Sequence, residues 1–442
     1  MRISSHLVKS SIVGALGGLL FGFDTAVIAG TTQALTTTFD LTPARLGLTV
    51  SIALWGTVLG ATTAGALGAR IGGRGALRIM ALLYLISAIG CAIAWSWPML
   101  LVSRFIGGIG VGGSSVLGPV YVAEIAPAKL RGRLVGMFQL NVVLGILLAY
   151  FSNFMMAKLQ LGATEWHWQL GIAAIPALGF FLMLYSIPGS SRWLASQNRI
   201  GEARKVLELV GSSDPDAELR EIVASIHQGR EHKQERVFAR KYLFPIFLAV
   251  ALGMFNQLSG INAILYYLND IFIDAGFSRV SSDTQAVIIG ATNLLATLLA
   301  MSLIDKLGRR TLLLTGSLGT IVCLAGVAKL FLDHSQSALL LPLLIGFIFS
   351  FAISQGSVIW VYLSEIFPTS VRSKGQSIGS SAHWITNAMI AAAFPALAAR
   401  STAYPFAFFA AMMVLQFLMV LFIFPETKGF TLEQIQARLG IE

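Results

Sequence analysis

Apolar residues run in blocks of about twenty along most of the chain, and short loops holding Arg, Lys, Gly and Pro separate them. A helix of that length crosses about 30 Å of hydrocarbon, and a helix is one of only two backbone forms that satisfy themselves there. The blocks predict twelve spans near 9–30, 46–69, 76–95, 98–122, 133–157, 167–188, 242–269, 284–304, 311–331, 338–363, 376–398 and 403–424. The first follows Arg2 and Lys9, is too long for a signal-peptide core, and reads as an uncleaved span. One sizeable polar stretch, 189–241, interrupts the series. Ile200, Ala203, Val206, Leu207 and Val210 give it amphipathic spacing before a break at Asp214 and Pro215, so short helices at the membrane surface are expected.

Composition sharpens this picture. Of the 442 residues 55% are hydrophobic and 12% charged, against about 25% charged in a soluble domain. That excludes a soluble enzyme, a secreted scaffold and a disordered hub. The net charge of +10 would suggest nucleic acid in a soluble protein, but the placement of the charges argues otherwise. With a cytoplasmic N-terminus, 25 of the 31 Lys and Arg fall in inside segments, and five (Arg45, Lys158, Arg279, Lys329 and Arg400) fall outside. The excess obeys the positive-inside rule. Both termini are therefore expected in the cytoplasm of a multi-pass inner-membrane protein, with no nucleic-acid partner. Cys91 and Cys323 stand far apart in apolar runs and read as small buried hydrophobes, with no metal or cofactor implied.

The two halves repeat. Glu124-Ile-Ala-Pro127 with Arg131 matches Glu365-Ile-Phe-Pro368 with Arg372, offset by 241 residues. Six spans, a polar linker and six spans describe a duplicated helical bundle, an architecture established among transporters. The expected divisions are a six-helix bundle at 1–188, a linker at 189–241, a second bundle at 242–424 and a tail at 425–442.

Ionisable groups within spans cost about 2.5–3.5 kcal/mol at mid-helix and default to function. Asp24, Arg104 and His383 are the ones set well inside. At 1.5 Å per residue, Asp24 lies about 22 Å beyond Lys9, and Arg104 lies about 10 Å in from Trp97, at matching depth. Together they read as a proton site, because movement of Arg104 changes the proton affinity of the carboxyl. Gln139, Gln257, Asn262, Asn293 and Asn387 place amides in apolar spans. Amides both donate and accept, as a ligand rich in hydroxyls requires, and Trp360 and Trp384 offer apolar ring faces for stacking. An interhelical hydrogen bond is the competing reading of any one amide. On a straight helix Gln257 and Asn262 stand about 140° apart, so Ser259-Gly260 between them is expected to kink or unwind the span. Glu124, Arg131, Asp305, Arg309, Glu365 and Arg372 fall at cytoplasmic ends in both halves and read as salt bridges that close the inside. Gly108 to Gly113 satisfies a dinucleotide-binding pattern but lies inside an apolar span, where close helix packing explains it. Gly14, Gly18 and Gly22 read as a packing stripe for the same reason.

Several strings resemble the sugar porter family of the major facilitator superfamily. They are Gly17 to Gly30, Arg104 to Gly112, Glu124 to Arg133, Gln257-Leu-Ser-Gly-Ile-Asn262 followed by Tyr266 and Tyr267, and Pro425-Glu-Thr-Lys-Gly429. The resemblance covers nearly the whole chain in the family's order. It implies the major facilitator fold: all-α, twelve transmembrane helices, two pseudo-symmetric six-helix bundles. It implies sugar contacts at Gln139, Gln257, Asn262, Asn293, Trp360 and Trp384, with Phe21 lining the cavity and Tyr266 and Tyr267 at the outer gate. An aspartate at the position of Asp24 resembles the proton-coupled members. Asn256 and His383 stand where the family places other polar residues, Ser357 where proline is common, and Ile146 where some members have glutamine. Ala69 and Gly73 replace an aspartate and an arginine, and Pro188-Gly-Ser-Ser-Arg192 lacks the family's glutamate, which suggests a weaker cytoplasmic latch in the N-terminal half. The chain is thus expected to be a monomeric symporter of a monosaccharide (hexose favoured) and a proton, not an enzyme. A proton-independent facilitator and a non-transporting sugar sensor are the alternatives.

Overall fold

A computed structural model describes residues 4–127, 130–212, 214–231, 237–333, 337–368, 371–430 and 432–441. The helices of the first half are α1 Ser5–Val27, α2 Thr32–Phe39, α3 Pro43–Ile71, α4 Gly73–Ala92, α5 Trp97–Ile125, α6 Arg131–Lys158, α7 Glu165–Gly171 and α8 Ala174–Met183. The polar stretch holds α9 Ser191–Ser196, α10 Ile200–Val210 and α11 Pro215–Glu231. The second half holds α12 Leu243–Leu258, α13 Ile261–Tyr266, α14 Leu268–Asp274, α15 Arg279–Leu307, α16 Arg309–Asp333, α17 Leu340–Ile353, α18 Gln355–Glu365, α19 Arg372–Ala398, α20 Ala403–Phe422 and α21 Leu432–Arg438. Among the described residues, eleven segments are long and apolar enough to cross a membrane. The remaining predicted span is α19, equally long but less apolar, because Ser, Gly, His383 and Asn387 interrupt its hydrophobic run.

The chain divides into two compact units. One comprises Met1–Asp24, Trp55–Ala149 and Trp166–Lys233; the other comprises Thr25–Leu54, Tyr150–Glu165 and Gln234–Glu442.

In the first unit small residues set the helix spacing. Gly18 and Gly22 of α1 face the backbone of α6 at Phe138 and Val142, where any Cβ would collide. Gly110 of α5 faces Met80 and Tyr84 of α4 in the same way. The Gly108–Gly113 pattern is thus helix packing in a span, where backbones approach closely through small residues. In the polar stretch the Ser190 hydroxyl caps α9 by accepting from the Trp193 amide at 3.0 Å. Helix α10 ends at Gly211 in the left-handed conformation, φ 85°. Its apolar face, Ala203, Val206, Leu207 and Val210, is buried, with α9 and α11 packed beside it. Arg204 joins α10 to α11 through Asp216 at 2.7 Å. Both cysteines are free thiols, Cys91 of this unit buried and Cys323 of the other half-buried.

In the second unit α12 packs along α19 and α16 along α20. Residues 25–54 and 150–165 join one end of it. There the Tyr150 hydroxyl donates to the Leu265 carbonyl at 2.8 Å, and Asn153 Nδ2 donates to the Val27 carbonyl at 3.0 Å. The expected break in span seven is present. Helix α12 stops at Leu258, Gly260 takes φ 83°, and α13 begins at Ile261. A second break at Tyr267 separates α13 from α14.

Candidate functional site

The first unit holds both of the charged residues expected deep in its spans. Arg104 is buried on α5, and Asp24, near the end of α1, lies within its electrostatic reach. Tyr84 and Cys91 of α4 feel both charges, and the Tyr84 hydroxyl is tied to the Leu20 carbonyl at 3.2 Å. The pocket around the pair is therefore built by α1, α4 and α5. Tyr84 and Cys91 escape the sequence reading because a lone tyrosine or cysteine in an apolar span looks like filler. Phe21 stands one turn before Asp24 and is half-buried, as is Gln139 on α6.

The second unit gathers the amides of span seven with the imidazole of α19. Asn262 Nδ2 donates to Gln257 Oε1 at 3.1 Å. Gln257 Nε2 in turn donates to Asn256 Oδ1 at 3.1 Å and lies 3.1 Å from His383 Nε2, so that a ring nitrogen of His383 accepts. Asn256 Nδ2 reaches the Gln355 carbonyl at 3.3 Å. The break at Gly260 makes this possible, since a continuous helix points Gln257 and Asn262 to different sides. The Ser259 hydroxyl holds the break by donating to the Asn256 carbonyl at 2.7 Å.

Indoles flank the imidazole. Trp360 lies 5.4 Å from the His383 ring centroid and Trp384 packs edge-on at 5.0 Å. Trp360 is 40% exposed whereas Trp384 is 4% exposed, so Trp360 is the more accessible of the two indoles. Asn387 Nδ2 donates to the Tyr266 hydroxyl at 3.1 Å, which ties Tyr266 to the polar row on α19. Tyr267 is buried, bonded to the Ala391 carbonyl at 2.8 Å and stacked on Phe394. Asn293 is buried on α15. This set can exchange donors and acceptors with a polyhydroxylated ligand and stack one apolar face of it. Gln355 of α18 joins this network through its main-chain carbonyl alone, while its side-chain Nε2 donates to Met413 Sδ at 3.1 Å.

The predicted cytoplasmic charges form local clusters. In the first unit Glu124 faces Ser190 and Arg192. The same end is fastened by hydrogen bonds to main-chain carbonyls. Arg74 donates to Ile187 at 2.8 Å, Tyr121 to Pro188 at 2.8 Å and Trp193 Nε1 to Ala69 at 3.1 Å. In the second unit Arg309 Nη2 lies 2.9 Å from Glu365 Oε1, and the Thr427 hydroxyl donates to Glu365 Oε2 at 2.6 Å. Glu426 accepts the backbone amides of Arg309 and Arg310 at 3.0 Å each, and so caps α16. Arg372 Nε donates to the Phe367 carbonyl at 3.3 Å. The side chains of Arg131 and Asp305 lie outside the described residues. Glu426 and Thr427 gain roles that the motif around Pro425 did not assign, because a tail residue's partner is visible only in three dimensions.

The chain is 34% identical to the D-xylose-proton symporter of Escherichia coli K12, over 98% of this chain and 96% of that protein. It is 36% identical to the galactose-proton symporter of the same organism, over 97% and 93%. It superposes on an inward-open structure of the E. coli xylose transporter XylE with a TM-score of 0.87 at 33% identity, covering 98% of this chain and 99% of that one. The family model described as "Sugar (and other) transporter" matches residues 10–439, and the chain belongs to that family, the sugar porters of the major facilitator superfamily.

Proposed function

We propose that the chain imports a monosaccharide together with a proton across the inner membrane by alternating access, with both termini cytoplasmic and hexose the favoured sugar. The observation that carries this reading is the buried Arg104 beside Asp24, an acid and a base kept inside a membrane protein where each is costly. Asp24 takes the proton from outside, which weakens its hold on Arg104, and sugar loads on the amides and indoles of α12, α13, α18 and α19. The family resemblance assigns sugar contact to Gln139 and a cavity-lining place to Phe21, both of the first unit. Release of sugar inward is followed by release of the proton. The six-helix bundles 1–188 and 242–424 are the moving parts, and 189–241 links them. The names of the relatives, which carry xylose or galactose with protons, support the ligand class. The test is uptake of labelled sugars by the reconstituted protein with and without an imposed pH gradient. Accumulation against the sugar gradient, driven by protons, is expected. Saturable flux that never exceeds equilibration would make the protein a facilitator instead.

A further inference from the structure

At the end of the second unit opposite the Arg309–Glu365 pair, α14 and α15 are joined by buried polar groups that the reading above does not use. Asn269 Nδ2 of α14 donates to Asp283 Oδ1 of α15 at 2.5 Å. Asn269 is 5% exposed and Asp283 1% exposed. The other two oxygens of this pair, Asn269 Oδ1 and Asp283 Oδ2, are buried without a hydrogen-bond donor. Two orphan acceptors on partners already joined by one bond call for one missing hydrogen. A proton on Asp283 Oδ2 supplies it: the carboxylic acid donates to Asn269 Oδ1, accepts from Asn269 Nδ2, and closes a cyclic acid–amide pair. An ionised Asp283 would instead leave a charge and two lone-pair sites unmatched in a buried place, at high cost.

The surrounding charges give the same answer. Arg279, at the start of α15, is paired with buried Glu165 at 2.8 Å. Asp270 is the neighbour of Asn269; Thr32 donates to its Oδ1 at 3.0 Å, while its Oδ2 has no donor. Asp274, one turn further along α14, accepts from Thr402 at 3.1 Å. Facing Asp283 are thus Arg279 from its own helix, Glu165 from the start of α7, and Asn269, with Asp270 and Asp274 further along α14. Arg279 is already engaged by Glu165, and a proton on Asp283 removes an unmatched charge.

We propose that Asp283 and Asn269 form a second proton-binding site, separate from Asp24, which fastens α14 to α15 when the solution on that side is acidic. The site needs neither sugar nor transport, so its test is independent of the function proposed above. The experiment is infrared spectroscopy of the full chain in lipid vesicles through a pH series, following the carbonyl stretch of protonated carboxylic acids. The parent, Asp24→Asn and Asp270→Asn are each expected to keep a titrating band that Asp283→Asn lacks. Asp283→Asn replaces the acid–amide pair by an amide–amide pair of the same shape, which favours folding. Asn269→Ala should keep the band but move it to higher frequency, as the carbonyl loses its donor. An unchanged band in Asp283→Asn overturns the proposal, and so does an unshifted band in Asn269→Ala.

Discussion

Asn262 hydrogen-bonds Gln257 across a broken helix, Nδ2 to Oε1 at 3.1 Å, although the two are separated by the left-handed turn at Gly260. The polar cluster of the second unit depends on that turn. Gly260 has no room for a side chain either, since a Cβ there would run into the Phe409 ring. Gly260→Ala therefore combines a left-handed conformation, about 1–2 kcal/mol for a residue with a Cβ, with overpacking of about 1–3 kcal/mol. Lower thermal stability in detergent and weaker sugar binding are expected. A variant that melts and binds like the parent would show that the turn is not required.

Gln257 is the hub of the amide row, bonded to Asn256, Asn262 and within reach of His383. Gln257→Ala and Asn262→Ala should each weaken sugar binding by about 1–3 kcal/mol, the cost of leaving buried polar partners unpaired. Gln257→Ala should be the worse of the two. Trp360→Ala should weaken binding through lost stacking. Calorimetric titration of the three variants decides this, and parent-like affinity in all of them would move the sugar elsewhere.

Asp24→Asn mimics the protonated carboxyl beside Arg104. It should bind sugar and exchange it across vesicles, yet fail to concentrate it. One charge moving through about 100 mV supplies about 2.3 kcal/mol, enough for roughly 50-fold accumulation in the parent. Sugar accumulation under an imposed proton gradient, compared with equilibrium exchange, is the measurement. Uphill uptake by Asp24→Asn would exclude it as the coupling site.

Glu365 holds both Arg309 and Thr427 and is half-buried. Exposed ion pairs contribute about 0–1 kcal/mol, whereas breaking a buried one costs about 3–5 kcal/mol. Glu365→Gln should fall between these limits, and the protein should melt at a lower temperature. The loss should shrink in Arg309→Met, where the pair is already gone. Equal losses in both backgrounds would mean that Glu365 acts without Arg309.

Burial pushes the Asp270 carboxyl, beyond the span Arg240–Tyr266, up to about 7. The folded protein therefore favours the neutral acid. Its contribution to stability is complete below about pH 4, where the unfolded carboxyl is also neutral, and is lost as pH rises through 7. The loss accrues at up to about 1.4 kcal/mol per pH unit. Asp270→Asn removes the titration. Melting curves of the two proteins should diverge with rising pH, the variant being the more stable above neutrality; a constant difference from pH 4 to pH 8 would contradict the shift.

The order of apolar blocks was enough to read the architecture, because a membrane span must be about twenty apolar residues long wherever it packs. Span eleven was legible as well, although His383 and Asn387 lower its hydropathy, since it keeps its length and its place in the repeat. The depth match of Asp24 and Arg104 follows from residue counting along helices of fixed rise. Likewise, Ser259-Gly260 between two amides that a straight helix would splay foretold the break after Leu258. None of these inferences depends on which helix touches which. Partnership does depend on it. That Glu124 meets Ser190 and Arg192, that Glu426 caps α16 from the tail, and that Asn269 and Asp283 leave two buried oxygens short of one hydrogen are matters of ångströms between groups far apart in sequence. A hydrogen bond is lost within a few tenths of an ångström and some tens of degrees. Hydrophobic periodicity places a residue in a span and on a face, and only the packing of the helices brings donor to acceptor.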